Sequence, residues 1–198
     1  MSPSGKILAH ASEMFIRSGI KAITMDDISR EAGVSKRTIY EIFKDKDDLL
    51  LACMNYMDKS QSLETEHIIK NAGNTVEMAL GLLKNGMRTL KSINPLFFSD
   101  LKKYHYEVWK KTYMINNQKS IDQISLLLNK GVNEGLLKED IDIDLVTKLL
   151  HAQLKILTED NFFPSGNYSK IVVFETTMIY FFRGISTKRG LEIIDNYQ

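Results

Sequence analysis

The chain has 198 residues, 43% of them hydrophobic and 26% charged, which is typical of a folded globular protein that can bury a sizeable core. Only three prolines and no compositionally biased tract argue against long disordered segments, and the single cysteine, Cys53, excludes an internal disulfide framework. The net charge of +1 gives no overall attraction for nucleic acid, so a nucleic-acid site has to depend on where the charges are placed.

No segment of the sequence indicates export or insertion into a membrane. The N-terminus lacks the apolar run followed by small residues that a secretion signal needs. The densest apolar run, residues 171–182, contains Glu175 and is shorter than the roughly 18 residues that suggest a membrane span. We therefore expect a cytoplasmic protein with no membrane partner.

The first 33 residues predict two helices with distinct ends. Apolar residues at positions 7, 8, 11, 14 and 15 recur at helical spacing and predict a first helix that stops at Gly19. Thr24 followed three residues later by Asp27 has the pattern of a helix N-cap with a carboxylate at the third helical position. This second helix is predicted to be short, because Gly33 ends it after about two turns.

A third short helix and a longer fourth helix follow directly. Ser35 is a suitable N-cap for the third helix, on which Ile39 and Phe43 lie four residues apart and are expected to point inward. The opposite face of this helix is polar, cationic and aromatic. Asp45 is expected to start a fourth helix that runs into the sixties and connects the N-terminal group to the rest of the chain.

The remainder of the sequence also has helical rather than strand periodicity. We expect helices near residues 74–92, 95–110, 112–134, 144–161, 168–184 and 187–196. No segment shows sustained alternation bounded by hairpin signals, and no repeat at a fixed period is present. The predicted fold class is all-α.

The second and third helices, joined by a tight turn at Gly33, have the arrangement of a helix-turn-helix, whose second helix enters the major groove of DNA. Lys36 and Arg37 lie in the first turn of that helix, where side chains reach base edges, and an arginine can pair with guanine O6 and N7. Thr38 can contact a thymine methyl group or a phosphate. The alternative is an exposed helix start with solvated charges, since residues 1–50 contain eight Lys or Arg and eight Asp or Glu.

Three side chains just beyond this first turn are suited to the flanking phosphates. Tyr40, Lys44 and Lys46 lie where the chain leaves the groove, and a phenol and two ammonium groups can all bind phosphate oxygens. Backbone N–H groups after Thr24 and Asp45 could add to this, because helix N-termini attract anions.

The segment ILAHASEMFIRSGIKAITMDDISREAGVSKRTIYEIFKDKDDLL carries these features at fixed spacing, including the AGVS turn at residues 32–35. Over residues 7–53 the sequence resembles the TetR family of one-component bacterial transcription regulators. The resemblance implies a homodimeric DNA-binding protein, usually a repressor, whose divergent C-terminal helical domain binds a small ligand that releases the operator. It places the family's DNA contacts on Thr24, Lys36, Arg37, Thr38, Tyr40 and Lys46; Lys44 is added from its charge and position.

We therefore expect a helix-turn-helix DNA-binding domain at residues 1–46 and a larger helical domain for effector binding and dimerisation at residues 47–198. Family members dimerise by pairing helices into a four-helix bundle, and the apolar helices near 144–161 and 168–184 are the candidates. The alternative is that these helices form the central core of a monomer. The predicted interface residues are Leu149, Leu150, Leu154, Leu157, Phe174, Met178 and Phe181.

Aromatic and Met residues are enriched between positions 78 and 114, and such side chains can line an adaptable pocket. Ordinary core packing explains most of them equally well. The candidate pocket residues, with one histidine that could orient a polar group, are Met87, Phe97, Phe98, Tyr104, Trp109, Tyr113 and His151.

The sequence contains no signal for catalysis, a cofactor or a metal. The four histidines, at positions 10, 67, 105 and 151, show no pairing at helical spacing, and the motifs of common hydrolases, nucleotide-binding loops and zinc proteases are absent. We therefore expect a ligand-responsive regulator, of the repressor type, that binds a palindromic operator as a homodimer. The alternatives are an activator or a partner-protein-controlled regulator without a small ligand, and a helical binding protein or enzyme that no longer reads DNA.

Overall fold

The computed structural model describes residues 2–156, 163 and 167–197, without the side chains of residues 113–117, 155 and 156. The all-α prediction is confirmed, and within the described residues the only strand-like feature is an isolated bridge between Leu137 and Ser186. The helices are α1 (Pro3–Ser18), α2 (Met25–Ala32), α3 (Lys36–Ile42), α4 (Lys46–Asn71), α5 (Thr75–Ser92), α6 (Leu96–Tyr104), α7 (Tyr106–Asn133), α8 (Ile143–Ile156), α9 (Lys170–Ile185) and α10 (Lys188–Asn196).

The chain forms two compact units. The N-terminal unit consists of Met1–Glu64 and Ser92–Ile115, and the C-terminal unit of Thr65–Lys91 and Asn116–Gln198. Helices α4 and α7 each begin in the N-terminal unit and end in the C-terminal unit. The predicted domain boundary at residue 46 stays a prediction.

The core of the N-terminal unit is formed by large side chains from its first four helices. Phe15, Ile28, Ile39 and Leu50 are fully buried and belong to one continuous hydrophobic cluster. Phe43, the other residue expected to point inward from the third helix, is also buried. Burying a side chain of this size contributes roughly 1.5 to 3 kcal/mol, so this cluster holds α2 and α3 against α1 and α4.

Local capping explains where α2 begins and ends. The Thr24 side chain accepts a hydrogen bond from the Asp27 N–H, and the Asp27 carboxylate accepts one from the Thr24 N–H, which confirms the expected capping box. Gly33 ends the helix with φ 62 and ψ 39, a left-handed conformation that other residues adopt only with strain. These short-range contacts determine the bounds of the helix.

The expected helix at residues 95–110 is wrong, because the structure divides it at His105. The backbone of His105 has φ −133 and ψ 46, so α6 ends at Tyr104 and α7 begins at Tyr106. The His105 ring is turned towards the start of α4, where its Nδ1 lies 2.5 Å from Oδ1 of Asp47. No glycine or proline marks this break, and the expected interruption between residues 110 and 112 does not occur, since α7 is continuous.

The C-terminal unit has a separate hydrophobic cluster. Val76, Leu80 and Leu83 of α5 pack with Leu136, Leu150 of α8 and residues of α9 and α10. The helix expected at residues 144–161 is observed from Ile143 to Ile156, and its last predicted residues lie outside the described ones. None of the described helices combines the length and apolar character that a bilayer crossing requires.

Candidate nucleic-acid interface and inner cavity

The α2–turn–α3 segment has the geometry of a helix-turn-helix. Within the turn, the Gly33 N–H donates to the Arg30 carbonyl at 3.2 Å and the Val34 N–H donates to the Ser29 carbonyl at 3.0 Å. The hydroxyl of Ser35 then accepts the Thr38 N–H at 3.0 Å, which starts α3. The buried side of α3 is anchored by Ile39, so its opposite side faces solvent.

The two cations in the first turn of α3 are exposed, and each is paired with a carboxylate. Lys36 Nζ lies 2.7 Å from Oδ1 of Asp26, and Arg37 Nε lies 2.8 Å from Oε1 of Glu41. The hydrogen bond to Asp26 raises the pKa of Lys36, so its ammonium group stays charged. Because both pairs are solvated, a phosphate or base edge can replace the carboxylate at little cost.

Thr24 lies at the exposed N-terminus of α2, and its hydroxyl is engaged with Asp27. The Thr24 hydroxyl donates to Oδ2 of Asp27 at 2.6 Å. This hydrogen bond, followed by those from the Thr24 N–H and Arg30, lowers the pKa of Asp27 to about 2. Asp27 is therefore an anion beside Thr24, the predicted phosphate contact. On DNA binding, the Thr24 hydroxyl would have to hydrogen-bond both to Asp27 in the helix cap and to a phosphate.

The other residues predicted on this face differ in exposure. Tyr40 is 47% exposed and Lys44 is exposed, so both can reach a phosphate. Thr38 is half-buried, and its hydroxyl lies 2.8 Å from the Ser35 hydroxyl. Thr38 is therefore partly occupied in capping α3.

Lys46 is held within the N-terminal unit. Its ammonium group donates to the carbonyls of Ile20 and Ile23, at 2.6 Å in both cases, and the residue is half-buried. Loss of solvation lowers the pKa of Lys46, while the nearby carboxylate of Asp100 opposes this shift. The predicted phosphate contact of Lys46 stays a prediction, and in the structure the ammonium group supports the α1–α2 turn.

Sequence reasoning missed a second support of the same turn. Oδ2 of the buried Asp100 accepts the Lys21 N–H at 2.8 Å, and the Asn94 side chain donates to the Arg17 carbonyl at 3.1 Å. Both acceptor and donor come from residues far along the chain, so no local pattern could have indicated them. The burial of Asp100, which only the structure shows, accounts for the contact, because a buried carboxylate needs a partner.

The comparisons with known proteins agree with this geometry. The family model described as "Bacterial regulatory proteins, tetR family" matches residues 7–53, the segment that carries the helix-turn-helix and the start of α4. Residues 7–53 of this chain belong to the TetR family.

Individual relatives of the chain are distant. The regulator YvaF of Bacillus subtilis is 28% identical over 105 residues, which are 52% of this chain and 55% of YvaF, so the chain spans about half the length of that relative. The repressor KstR2 of Mycobacterium tuberculosis is 22% identical over 152 residues, 75% of this chain and 76% of KstR2. A regulator from Saccharomonospora viridis in complex with choline shares the fold, with a TM-score of 0.72 at 18% identity over 93% of this chain and 98% of that chain. These relatives are regulators and not enzymes.

The seven residues predicted to line a pocket do not form one site within either unit. Phe97, Phe98, Tyr104 and Trp109 belong to the N-terminal unit, where Phe97 is a buried core residue and Tyr104 is exposed beside Lys21. Met87 and His151 belong to the C-terminal unit. The side chain of Tyr113 lies outside the described ones. The prediction that these residues line a pocket stays a prediction, because aromatic content alone does not distinguish core, surface and pocket positions.

The C-terminal unit contains an apolar cavity of about 230 Å³ between α5, α7, α8 and α9. Four residues predicted for the dimer interface, Leu150, Leu154, Phe174 and Met178, line this cavity. Of the other three, Leu149 is 49% exposed, Phe181 is partly buried beside Phe182, and Leu157 lies outside the described residues. Helical spacing identified the apolar helices, but not which of their faces points inward.

Reactive groups in the described part of the chain are sparse. Cys53 is buried beneath α1, and its burial raises the pKa of the thiol to about 12, so the sulfur remains protonated. Among the described residues no group of three His, Cys, Asp or Glu side chains is placed to hold a metal ion.

Proposed function

We propose that this TetR-family chain is a ligand-responsive transcriptional repressor that binds a palindromic DNA operator as a homodimer. The observation that carries the proposal is the capped helix-turn-helix with two exposed cations, Lys36 and Arg37, in the first turn of α3. The relative KstR2 is named a transcriptional repressor, which supports repression rather than activation.

The proposed DNA contacts have separate roles. Arg37 reads guanine from the major groove, because a guanidinium group can donate to O6 and N7 together. Lys36, Thr24, Tyr40 and Lys44 contact phosphates or sugar and set the register on the duplex. Thr38 contributes through its methyl group and Lys46 through the turn that it supports or a flanking phosphate.

Dimerisation is proposed through the outward faces of α8 and α9. Leu145, Leu149, Val172 and Tyr180 are between 49% and 71% exposed, although they lie on helices that pack together in the C-terminal unit. Exposed apolar groups of this kind mark interaction surfaces. A second copy fits, because a twofold axis presents two copies of α3 to major grooves about 34 Å apart, or a longer spacing, along a palindrome.

Release of DNA is proposed to follow ligand binding in the C-terminal unit. Helix α4 contributes Leu49 and Leu50 to the hydrophobic cluster of the N-terminal unit and ends in the C-terminal unit. One continuous helix can therefore transmit a displacement from the C-terminal unit to the N-terminal unit. The ligand has to bind the released conformation more tightly than the DNA-bound one, since equal affinity shifts nothing.

The test is selection of bound sequences from random duplex DNA with the purified full chain, followed by binding measurements on Arg37→Ala. We expect a palindrome for the natural sequence and loss of discrimination at one base of each half-site for Arg37→Ala, by about 1 to 3 kcal/mol. Arg189→Ala removes an exposed arginine from α10 and serves as the matched control, which should keep the preference. Recovery of unrelated sequences would instead favour a helical binding protein that does not read DNA.

A further inference from the structure

Among the described residues, the side chains that line the cavity of the C-terminal unit carry only hydrocarbon and thioether groups. Its ten lining residues include Leu83, Leu127, Leu154, Phe174, Met178 and Phe182, and none of the ten has a side-chain nitrogen or oxygen. The surrounding backbone polar groups belong to helices and are satisfied there. A charged or strongly polar group placed in this cavity would lose its hydration and find no side-chain partner.

The cavity is also too large to be an ordinary packing gap. Protein interiors hold few voids larger than one water molecule, and about 230 Å³ exceeds that several-fold. The cavity is partly open to solvent and its wall is apolar, so an apolar molecule can enter it and remove hydrocarbon surface from water. Met178 can adapt to a guest, because a thioether side chain is flexible and polarisable.

Gly86 determines how closely one wall approaches α5. A methyl group at Gly86 would come within 2.9 Å of Cε1 and 3.0 Å of Cζ of Phe174, so the ring lies directly on this glycine. Substitution by alanine would push the ring of Phe174 into the cavity that it lines. Gly184, on α9, has nothing within 4 Å of such a methyl group and offers a matched control.

From these features we infer that the effector is a neutral molecule whose hydrocarbon part, an alkyl chain or an alicyclic skeleton, fills this cavity. The inference rests on the proposed function, because only that function assigns an effector to the C-terminal unit. It separates this chain from the Saccharomonospora viridis relative in complex with choline, a cation for which the lining described above offers two phenylalanine rings but no carboxylate.

The test uses the full chain with two probes, decan-1-ol and choline, and measures binding by calorimetry and by the shift in Tm. We expect decan-1-ol to bind and raise Tm with concentration, and choline to do neither. Gly86→Ala should weaken decan-1-ol binding at least ten-fold, while Gly184→Ala should leave it unchanged. If Gly86→Ala does not fold, Leu127→Gln, which places an amide in the cavity wall, should show the same loss.

Tighter binding of choline, or equal decan-1-ol binding by the Gly86→Ala and Gly184→Ala variants, would overturn the assignment of ligand class. DNA release is measured separately on the selected operator. Binding of decan-1-ol without release would overturn the proposed release mechanism and leave the ligand class standing. Operator binding without any decan-1-ol binding would overturn the ligand class alone.

A separate observation concerns the turn between α1 and α2, which leads directly into Thr24. Asp100 of α6 accepts the Lys21 N–H, and its Oδ2 would lie 3.1 Å from a methyl group at Gly19, where φ is 80. Lys46 holds the carbonyls of Ile20 and Ile23 in the same turn. The turn is thus fixed through its backbone by one carboxylate and one ammonium group.

We propose that Asp100 is a positioning residue for DNA binding, which acts through this turn on Thr24 and the start of α2. A purely electrostatic role of Asp100 predicts the opposite change in DNA affinity. Removing a carboxylate near DNA strengthens binding of the polyanion, whereas loss of a positioning residue weakens it. Asp100→Asn removes the charge and keeps an acceptor oxygen for the Lys21 N–H, whereas Asp100→Ala removes both.

We expect operator binding to be kept or strengthened in Asp100→Asn and weakened at least ten-fold in Asp100→Ala, both measured well below Tm. The Lys21 amide should exchange its hydrogen faster in Asp100→Ala only, and the slope of affinity against salt should stay the same. Stronger binding by both variants, or weaker binding without faster exchange at Lys21, would overturn the positioning role.

Discussion

The helix-turn-helix of the N-terminal unit and the cavity of the C-terminal unit are built in opposite ways. In the first region Phe15, Ile28 and Ile39 have no exposed surface, and short caps hold the helix ends. In the second, ten apolar side chains line a partly open cavity of about 230 Å³. A helix-turn-helix that binds DNA has to keep its backbone geometry, so close packing suits it. A site that takes up an effector needs unfilled volume, so looser packing suits the C-terminal unit.

The largest expected difference between the regions concerns phenylalanine truncation. Phe15→Ala leaves a void in a closely packed cluster and should lower the free energy of unfolding by about 3 to 5 kcal/mol. Phe174→Ala should cost less, because one side of that ring already faces the cavity and lacks contacts there. Urea unfolding followed by circular dichroism compares the two variants, and fluorescence of Trp109, the only tryptophan, reports on the N-terminal unit. Equal costs would mean that the cavity closes in solution.

The next comparison is between alanine substitutions at Gly33, where the backbone would be strained, and at Gly184, where a methyl group has free space. Gly33→Ala forces a side chain into the left-handed conformation and should lower the free energy of unfolding by about 1 to 2 kcal/mol. Gly184→Ala meets nothing within 4 Å inside α9 and should be neutral or stabilising by up to about 1 kcal/mol. Thermal unfolding of both variants measures the difference. A neutral Gly33→Ala would show that the turn can relax.

Removing the cap of α2 should have a smaller effect, of about 1 kcal/mol at neutral pH for Thr24→Ala. The pKa of Asp27 is lowered from 3.8 to about 2 in the folded chain, so its contribution to stability is present above 3.8 and lost as the pH falls towards 2. Without the Thr24 hydroxyl this pKa should rise back towards 3.8.

The stability difference between the natural sequence and Thr24→Ala should therefore shrink as the pH falls through this window. Urea unfolding at neutral pH and at pH about 2 checks the sign. A difference that grows on acidification would contradict the role of Asp27 in the capping box.

The smallest expected change in stability accompanies Glu41→Gln. It removes the exposed partner of Arg37 and should alter the free energy of unfolding by no more than about 0.5 kcal/mol. Operator affinity should nevertheless increase, because the variant replaces an ion pair to the guanidinium group by a weaker hydrogen bond to a neutral amide and removes a negative charge from the DNA-facing helix. Fluorescence anisotropy on the selected operator measures this increase, with Glu192→Gln on α10 as a control at an exposed position far along the chain. Unchanged or weaker binding would mean that Arg37 needs Glu41 to hold its orientation.

How far the sequence predicts the structure depends on the distance over which each feature is decided. The caps at Thr24 and Ser35 and the stop at Gly33 involve residues three to five apart, and their patterns were sufficient. The break at His105 was missed, because its ring contacts Asp47, which lies 58 residues away. The supports of the α1–α2 turn are similarly remote, since Asp100 and Lys21 are 79 residues apart.

The sequence alone determined the all-α class, the helix-turn-helix and the cations of α3, because periodicity, capping and turn chemistry act within a few residues. Only the tertiary structure decided that Leu150, Leu154, Phe174 and Met178 face a cavity and that Leu149 faces solvent. Both faces of α8 and α9 carry apolar residues beside the charged ones, so hydrophobicity alone could not say which of them would be buried. That choice is made when helices far apart in the chain pack against one another, which no local pattern records.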